Sequence, residues 1–146
     1  MIKNQGYSNL RKGRYSEPDY VYHVVFSTKS RKPVFEDFKS ARFLIGLFKK
    51  DEELGTTKTL SFVVMPDHVH WLVKLESQTL SKAVQRIKSM FSRYYGEKVW
   101  EEGFYDQGIR DEGNLRNVAR YIVANPLRAD LVSQIGDYPH WDAVWL

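Results

Sequence analysis

The sequence predicts an α+β fold built on a four-stranded antiparallel sheet. Three observations predict it. Runs of β-branched and aromatic residues have the length of strands, and amphipathic stretches of helical period lie between them. Two of the strand-like runs are separated by only two residues, and a link that short requires an antiparallel hairpin. The length of 146 residues suits one domain with a substantial core.

Four segments predict the strands. Residues 20–28 carry apolar groups on both faces, which indicates a central strand. Residues 59–65 and 68–75 predict the second and third strands, joined by Pro66-Asp67. Residues 103–109 predict a short fourth strand.

Three further segments predict helices. In residues 36–52 apolar side chains recur at spacings of three and four, and residues 80–98 repeat this pattern with basic residues mostly off the apolar stripe. Residues 114–125 predict a third helix, which Pro126 ends. The order is β-α-β-β-α-β-α. We therefore expect a ferredoxin-like four-stranded antiparallel sheet with two helices on one face and the third helix as an addition.

The composition limits the classes of function. The chain has no cysteine, which excludes disulfides, thiolate zinc fingers and thiol catalysis and fits a reducing cytoplasm. A net charge of +4 and a pI of about 9.2 fit either a nucleic-acid partner or a solvated basic surface. We expect neither a signal peptide nor a membrane span, because no apolar run is long enough.

Two basic segments could contact DNA. Residues 1–19 have no apolar periodicity and predict a basic N-terminal arm before a domain over 20–146. The candidate DNA-binding residues are Arg11, Lys12 and Arg14 in the arm and Lys82, Arg86, Lys88 and Arg93 in the second predicted helix. Phosphate contacts need such charges, but a disordered terminus and a solvated helix face explain them as well.

His68-Val69-His70 is a candidate metal site. Side chains alternate across a strand, so both imidazoles point to one face while Val69 packs in the core on the other. A neutral ring nitrogen is a common metal ligand, although two half-exposed strand histidines are an alternative explanation. His23 and His140 stand apart in the sequence, and a packed terminal segment explains His140.

Tyr121 and Asn125 form a second candidate pair. Four residues apart, they are expected on one face of the third helix, although Pro126 disturbs its end. A phenol is a weak nucleophile at neutral pH and needs a base or a nearby cation. From the residues alone, Tyr121 could equally be a structural tyrosine, one of nine in the chain.

Separated motifs carry a resemblance over nearly the whole chain. Residues 63–73, VVMPDHVHWLV, resemble the histidine–hydrophobe–histidine motif of the HUH single-strand nucleases, and more narrowly that of the single-tyrosine transposases of bacterial insertion sequences. Residues 119–129, ARYIVANPLRA, are similar to the tyrosine helix of that group. Residues 10–16, 31–35 and 105–111 are similar to segments of one branch, the REP-associated tyrosine transposases.

The resemblance implies an activity. Such an enzyme binds a hairpin in single-stranded DNA, of the repetitive extragenic palindrome type, beside a tetranucleotide that the basic arm reads. Tyr121 attacks the scissile phosphate, leaving a covalent 5′-phosphotyrosine and a free 3′ hydroxyl, and the reverse attack can join a second strand. A divalent metal, Mg²⁺ or Mn²⁺, is held by His68, His70 and Asn125. The resemblance further implies a monomer or homodimer, in the cytoplasm and associated with the nucleoid.

Other functions remain open at this stage. A non-catalytic single-stranded nucleic-acid-binding domain would keep the fold and make Tyr121 structural. A metal hydrolase is less favoured, since Trp71-Leu72-Val73 follows the histidines where further ligands would be expected. A two-histidine phosphoesterase needs two His-x-Ser or His-x-Thr motifs, and the sequence has none. A domesticated enzyme and a mobile element cannot be separated by sequence.

Overall fold

The computed structural model describes residues 20–145, and within them five strands form one antiparallel sheet. The spatial order is β4-β1-β3-β2-β5, so β1 and β3 are central. The strands are β1 Val21–Ser27, β2 Thr57–Val64, β3 His68–Leu75, β4 Tyr105–Ile109 and β5 Trp141–Ala143. The β2–β3 hairpin turns through Pro66-Asp67 as predicted, with the Met65 amide donating to the His68 carbonyl at 2.8 Å.

Within residues 20–145, three long α-helices and one short α-helix accompany the sheet. They are α1 Phe38–Glu53, α2 Leu80–Tyr95, α3 Glu112–Val123 and α4 Asn125–Arg128. Asp37, Thr79 and Asp111 precede the three long helices, and each side chain accepts a hydrogen bond from the amide three residues on. α2 ends at Gly96, whose φ of 93° suits a residue without a Cβ.

The helices cover both faces of the sheet. α1 and α2 pack on one face, in a buried cluster that includes Trp71, Phe48 and Phe91. α3 packs on the other face, where Ile122 meets Leu72 and other sheet residues in a smaller cluster. Val69 belongs to the first cluster, which confirms that it packs in the core on the opposite face from His70.

The predicted fold class and element order are confirmed, while the bounds of most elements differ by one to three residues and some differences have a clear physical reason. The sheet has a fifth strand, β5, which pairs with the outer side of β2 and is too short for a sequence pattern to show. The third helix begins at Glu112 rather than residue 114, because Asp111 already caps its first amides. It ends at Val123, and Pro126 lies in the first turn of α4, where its missing N–H does no harm.

The C-terminal segment packs against the domain as predicted for His140. That residue is buried, with its ring 5.3 Å from the Phe38 ring and 5.6 Å from the Tyr138 ring. The Tyr138 hydroxyl donates to the Val64 carbonyl at 2.6 Å, and burial raises the pKa of this phenol to about 12. Over residues 20–145, no helix has both the length and the apolarity that crossing a bilayer needs.

Candidate active site

The pairing of β1 with β3 gathers three histidines on the sheet face that α3 covers. In this register His23 lies opposite Leu72, and Val25 lies opposite His70. Opposed residues of an antiparallel pair point to the same side, so His23 and His70 are diagonal neighbours. His68 and His70 share this face as predicted, with ring centroids 5.1 Å apart.

A hydrogen bond joins His23 to His70. His23 Nε2 lies 3.0 Å from His70 Nδ1, and the two rings stack with centroids 5.2 Å apart. Burial lowers the pKa of His23 to about 4. Burial, as the main cause, and electrostatic interactions with His23, His68 and Arg128 lower the pKa of His70 to about 3. Both imidazoles are therefore neutral near pH 7 and have a ring nitrogen with a free electron pair.

Asp67 and Arg31 hold His68 in place. His68 Nδ1 donates to Asp67 Oδ1 at 2.8 Å, and Arg31 Nε donates to Asp67 Oδ2 at 3.1 Å. Burial alone would raise the pKa of Asp67, but the hydrogen bonds from His68 and Arg31 and their charges bring that pKa below its usual value. The carboxylate is thus ionised and fixes the orientation of the His68 ring, which gives residues 31–35 a structural link to the site.

Tyr121 lies on α3 directly over the paired histidines. Its ring centroid is 6.5 Å from that of His23 and 6.4 Å from that of His70, edge to face in both cases, and 52% of the residue is exposed. The guanidinium of Arg128 stacks 3.8 Å from the Tyr121 ring centroid, and Arg128 Nη2 donates to the Tyr121 carbonyl at 2.7 Å. Arg128 therefore fixes both the ring and the backbone of this tyrosine.

The sequence spacing predicted that Asn125 lies on the third helix with Tyr121, and this prediction is wrong. Asn125 is the first residue of α4, because α3 ends at Val123. Asn125 Nδ2 donates to the carbonyls of Ile122 at 3.0 Å and Tyr121 at 3.4 Å, so the side chain caps the end of α3. Within residues 20–145, the side-chain hydrogen bonds of Asn125 go to these carbonyls and not to the histidines.

His68 and His70 could each offer one ring nitrogen to a divalent metal. Nδ1 of each ring is engaged by a neighbour, Asp67 or His23, which leaves Nε2 of each ring for a ligand bond if His70 donates its Nδ1 proton to His23. No group of three or more His, Asp or Glu side chains among the described residues is arranged to hold a metal ion. Oxygen donors from an amide, water or a phosphate would therefore have to complete the shell.

The candidate DNA-binding residues differ in their surroundings. Arg11, Lys12 and Arg14 lie outside the described residues. Lys82 and Arg93 are exposed on α2. Arg86 and Lys88 are partly buried and form hydrogen bonds with other parts of the domain.

Arg86 and Lys88 each bind a specific internal partner. Arg86 donates to the buried carboxylate of Asp51 at 3.0 Å and to Gln78 Oε1 at 2.6 Å. Lys88 Nζ donates to the carbonyls of Glu101 and Gly103, and burial lowers the pKa of this amine to about 8. These contacts tie α2 to α1 and to the segment before β4.

The ion pair between Arg86 and Asp51 leads to a prediction on stability. We expect Arg86→Met to lower the free energy of unfolding by about 3 kcal/mol, because it leaves a buried carboxylate unpaired. Urea denaturation followed by circular dichroism measures this. Lys82→Met on the same helix is the control and should change the free energy by less than about 0.5 kcal/mol. Equal stability of the two variants would contradict the structural role of Arg86.

Comparison with known proteins places the chain in a family. The sequence profile described as "Transposase IS200 like" matches residues 16–125, which include the three histidines and Tyr121. The chain belongs to the IS200-like transposase family. Membership implies nuclease and transposase activity and, in general, dependence on a divalent metal.

Individual relatives of this IS200-like transposase confirm the resemblance to the REP-associated branch. A Haemophilus influenzae protein provisionally named a REP-associated tyrosine transposase is 24% identical over 91% of this chain and 84% of its own. The REP-associated tyrosine transposase of Escherichia coli K12 is 30% identical over 54% of this chain and 50% of its own.

A solved structure shows the same fold. The REP-associated tyrosine transposase bound to a REP hairpin superposes with a TM-score of 0.77 at 23% identity, over 88% of this chain and 79% of its own. It confirms the α+β architecture of this IS200-like transposase.

His23 and Arg128 are residues of the site that sequence analysis missed. The histidine pair on β3 is visible because its spacing is local, whereas His23 meets His70 only through the β1–β3 register. The one available signal was a polar residue in an otherwise apolar central strand. A buried polar side chain needs a partner, and that requirement could have marked His23.

Proposed function

We propose that this IS200-like transposase cleaves and rejoins single-stranded DNA beside hairpins, with Tyr121 as the nucleophile. The observation that supports this most is the placement of Tyr121. A half-exposed phenol lies over two buried neutral histidines, and an arginine cation stacks on its ring. The REP hairpin held by the structurally similar transposase supports a hairpin of the repetitive extragenic palindrome type as the target.

The reaction exchanges one phosphodiester for another. The Tyr121 oxygen bonds to the scissile phosphorus as the phenol loses its proton, and the bond to the 3′ oxygen breaks as that oxygen takes up a proton. The products are a 5′-phosphotyrosine and a free 3′ hydroxyl. The bond energy stays in the tyrosine ester, so attack by a 3′ hydroxyl can reverse the step and join strands without ATP.

Arg128 is the positioning residue for the nucleophile. Its stacking on Tyr121 and its bond to the Tyr121 carbonyl restrict the phenol to one orientation over the histidines. A cation at this distance also favours the approach of the anionic DNA backbone. Fixing a reacting group in this way removes part of the entropic cost of the reaction.

His68 and His70 would hold the metal through Nε2, with the amide oxygen of Asn125 as the third ligand that the resemblance implies. When bound, a divalent ion polarises the phosphate and offsets the charge that develops on it. Asp67 and His23 would support these ligands, because each forms a hydrogen bond that orients the ring of one histidine. The Asn125 side chain is held at the end of α3 by its own hydrogen bonds.

The remaining features follow from this function. Arg11, Lys12 and Arg14 of the arm would read the tetranucleotide, and exposed Lys82 and Arg93 would contact phosphates. Arg86 and Lys88 would stabilise the helix that presents them. We propose a cytoplasmic, nucleoid-associated enzyme that works as a monomer or a homodimer.

Incubation with a labelled single-stranded REP hairpin and Mn²⁺ tests the proposal. We expect a protein–DNA adduct that survives denaturing electrophoresis, and no adduct with the same sequence in a fully paired duplex. Binding to the hairpin without any adduct would instead support a non-catalytic nucleic-acid-binding domain.

The metal requirement gives a further prediction. Treatment with EDTA should abolish the adduct, and Mn²⁺ should restore it at least as well as Mg²⁺ at equal concentration, because imidazole suits manganese better than the harder magnesium ion. Initial rates of adduct formation measure this. Lower rates in Mn²⁺ than in Mg²⁺ would contradict the prediction that a site with histidine ligands works at least as well with manganese.

A further inference from the structure

A cavity of about 540 Å³ opens between α3 and the sheet, next to Tyr121. Its volume lies in the range of roughly 300–1,000 Å³ that small-ligand pockets have. The polar and aromatic side chains that line it include Tyr105, Gln107, Asn114, Asn117, Tyr121 and His23.

The spacing of the lining residues along α3 and β4 explains why they face the same space. Asn114, Asn117 and Tyr121 are three and four apart on α3 and so share one helix face. Tyr105 and Gln107 alternate on β4 and so share one face of the edge strand. The two elements thus present amides and phenol rings to the same space.

Two half-exposed tyrosine rings form part of the wall. The ring centroids of Tyr105 and Tyr121 lie 6.3 Å and 6.5 Å from that of His23, and both contacts are edge-on. About half of each tyrosine remains exposed. Unpaired bases stack on accessible aromatic surfaces of this kind.

The amides add the capacity to pair with a base edge. The side-chain amide of Asn117 makes no hydrogen bond within residues 20–145, so both its donor and its acceptor are available. Gln107 accepts the Tyr105 hydroxyl at 3.3 Å, which leaves its amide protons available. Asparagine and glutamine amides match the paired donor and acceptor on a nucleobase edge.

The charge of the lining side chains indicates whether the cavity suits a base or a phosphate. No Lys, Arg, Asp or Glu is among the described residues that line it. A phosphate site would need cationic side chains or converging backbone amides. The lining suits a flat, uncharged ring with polar edges.

We propose that this cavity binds one unpaired nucleobase, next to the phosphate that Tyr121 attacks. The proposal rests on the proposed function, since that function supplies the single strand whose base enters. Binding would align the scissile phosphate with the nucleophile and make Asn117 and Gln107 determinants of which base is accepted.

The test is a titration of the full-length, ¹⁵N-labelled chain with each of the four deoxynucleoside 5′-monophosphates, without metal. We expect the side-chain amide signals of Asn117 and Gln107 to shift, and the signal of Gln85, exposed on α2, to stay. Concentrations up to about 10 mM suffice for a millimolar site. Deoxyribose 5-phosphate, which lacks a base, should leave all three signals in place.

Variants make the assignment specific. Asn117→Leu should weaken mononucleotide binding by about tenfold, judged by the Gln107 signal, because one amide pair with a base edge is lost. Gln85→Leu is the matched control and should bind as the wild type does. Absence of shifts with every mononucleotide, equal shifts with deoxyribose 5-phosphate, or unchanged binding by Asn117→Leu would each overturn the proposal.

These measurements do not depend on cleavage. Base-dependent shifts in a chain that forms no DNA adduct would support the pocket and contradict the proposed function. An adduct without base-dependent shifts would support the proposed function and contradict the pocket.

Discussion

Tyr121→Phe is expected to abolish the covalent DNA adduct and to lower strand cleavage by at least about a thousandfold, because it removes the only atom of the residue that can attack phosphorus. The fold should be unchanged. The Tyr121 residue is half exposed, and its ring contacts to His23, His70 and Arg128 need no hydroxyl. Gel assays of cleavage and adduct formation with a labelled hairpin, in Mn²⁺, measure the change.

Tyr94→Phe is the matched control for this experiment. Tyr94 is similarly exposed but lies on α2, on the opposite face of the sheet, where its ring stacks 3.9 Å from that of Phe43. The substitution keeps this stacking, so cleavage at the wild-type rate is expected. Cleavage by Tyr121→Phe at the rate of the control would contradict the tyrosine mechanism, whatever the metal does.

His23→Leu is expected to weaken Mn²⁺ binding by about 10- to 100-fold, the range typical for a residue that orients a metal ligand. The reason is the loss of the acceptor for His70 Nδ1, which leaves that ring free to rotate or to protonate at Nε2 instead. Isothermal titration calorimetry of the full chain with Mn²⁺ measures the affinity. The ¹⁵N signals of His70 in the metal-free protein independently show which ring nitrogen carries the proton.

Two variants control for a merely structural effect of His23→Leu. His23→Gln keeps an acceptor oxygen near the position of Nε2 and should recover part of the affinity. His140→Gln changes a histidine that is also buried but lies in the C-terminal segment, so it should bind Mn²⁺ normally. Wild-type affinity and an unchanged His70 tautomer in His23→Leu would show that His23 only fills space.

The sequence was informative wherever the relevant spacing was local. The alternation of His68, Val69 and His70 predicts the faces on which they are found, because a strand has a period of two. The Pro66-Asp67 hairpin is likewise predicted from its length. The helices follow from their apolar spacing, and the errors in their ends include those at Gly96, Asp111 and Pro126, where capping and turn geometry decide the boundary.

Non-local contacts account for what the sequence did not show. His23 joins the site through a strand register that no single segment contains. Arg86 looked like part of a solvated basic face, but it binds Asp51 on another helix. Arg128 lies seven residues from Tyr121 and reaches its ring only because the chain turns into α4 after Val123.

The placement of Tyr121 over the histidine pair is the centre of the account, and mapping the adduct tests it most directly. The chain is incubated with single-stranded hairpin DNA and Mn²⁺, trimmed with protease and nuclease, and the linked peptide is sequenced by tandem mass spectrometry. We predict a nucleotide joined through its 5′ phosphate to Tyr121. A linkage to another residue, or through a 3′ phosphate, would contradict the account.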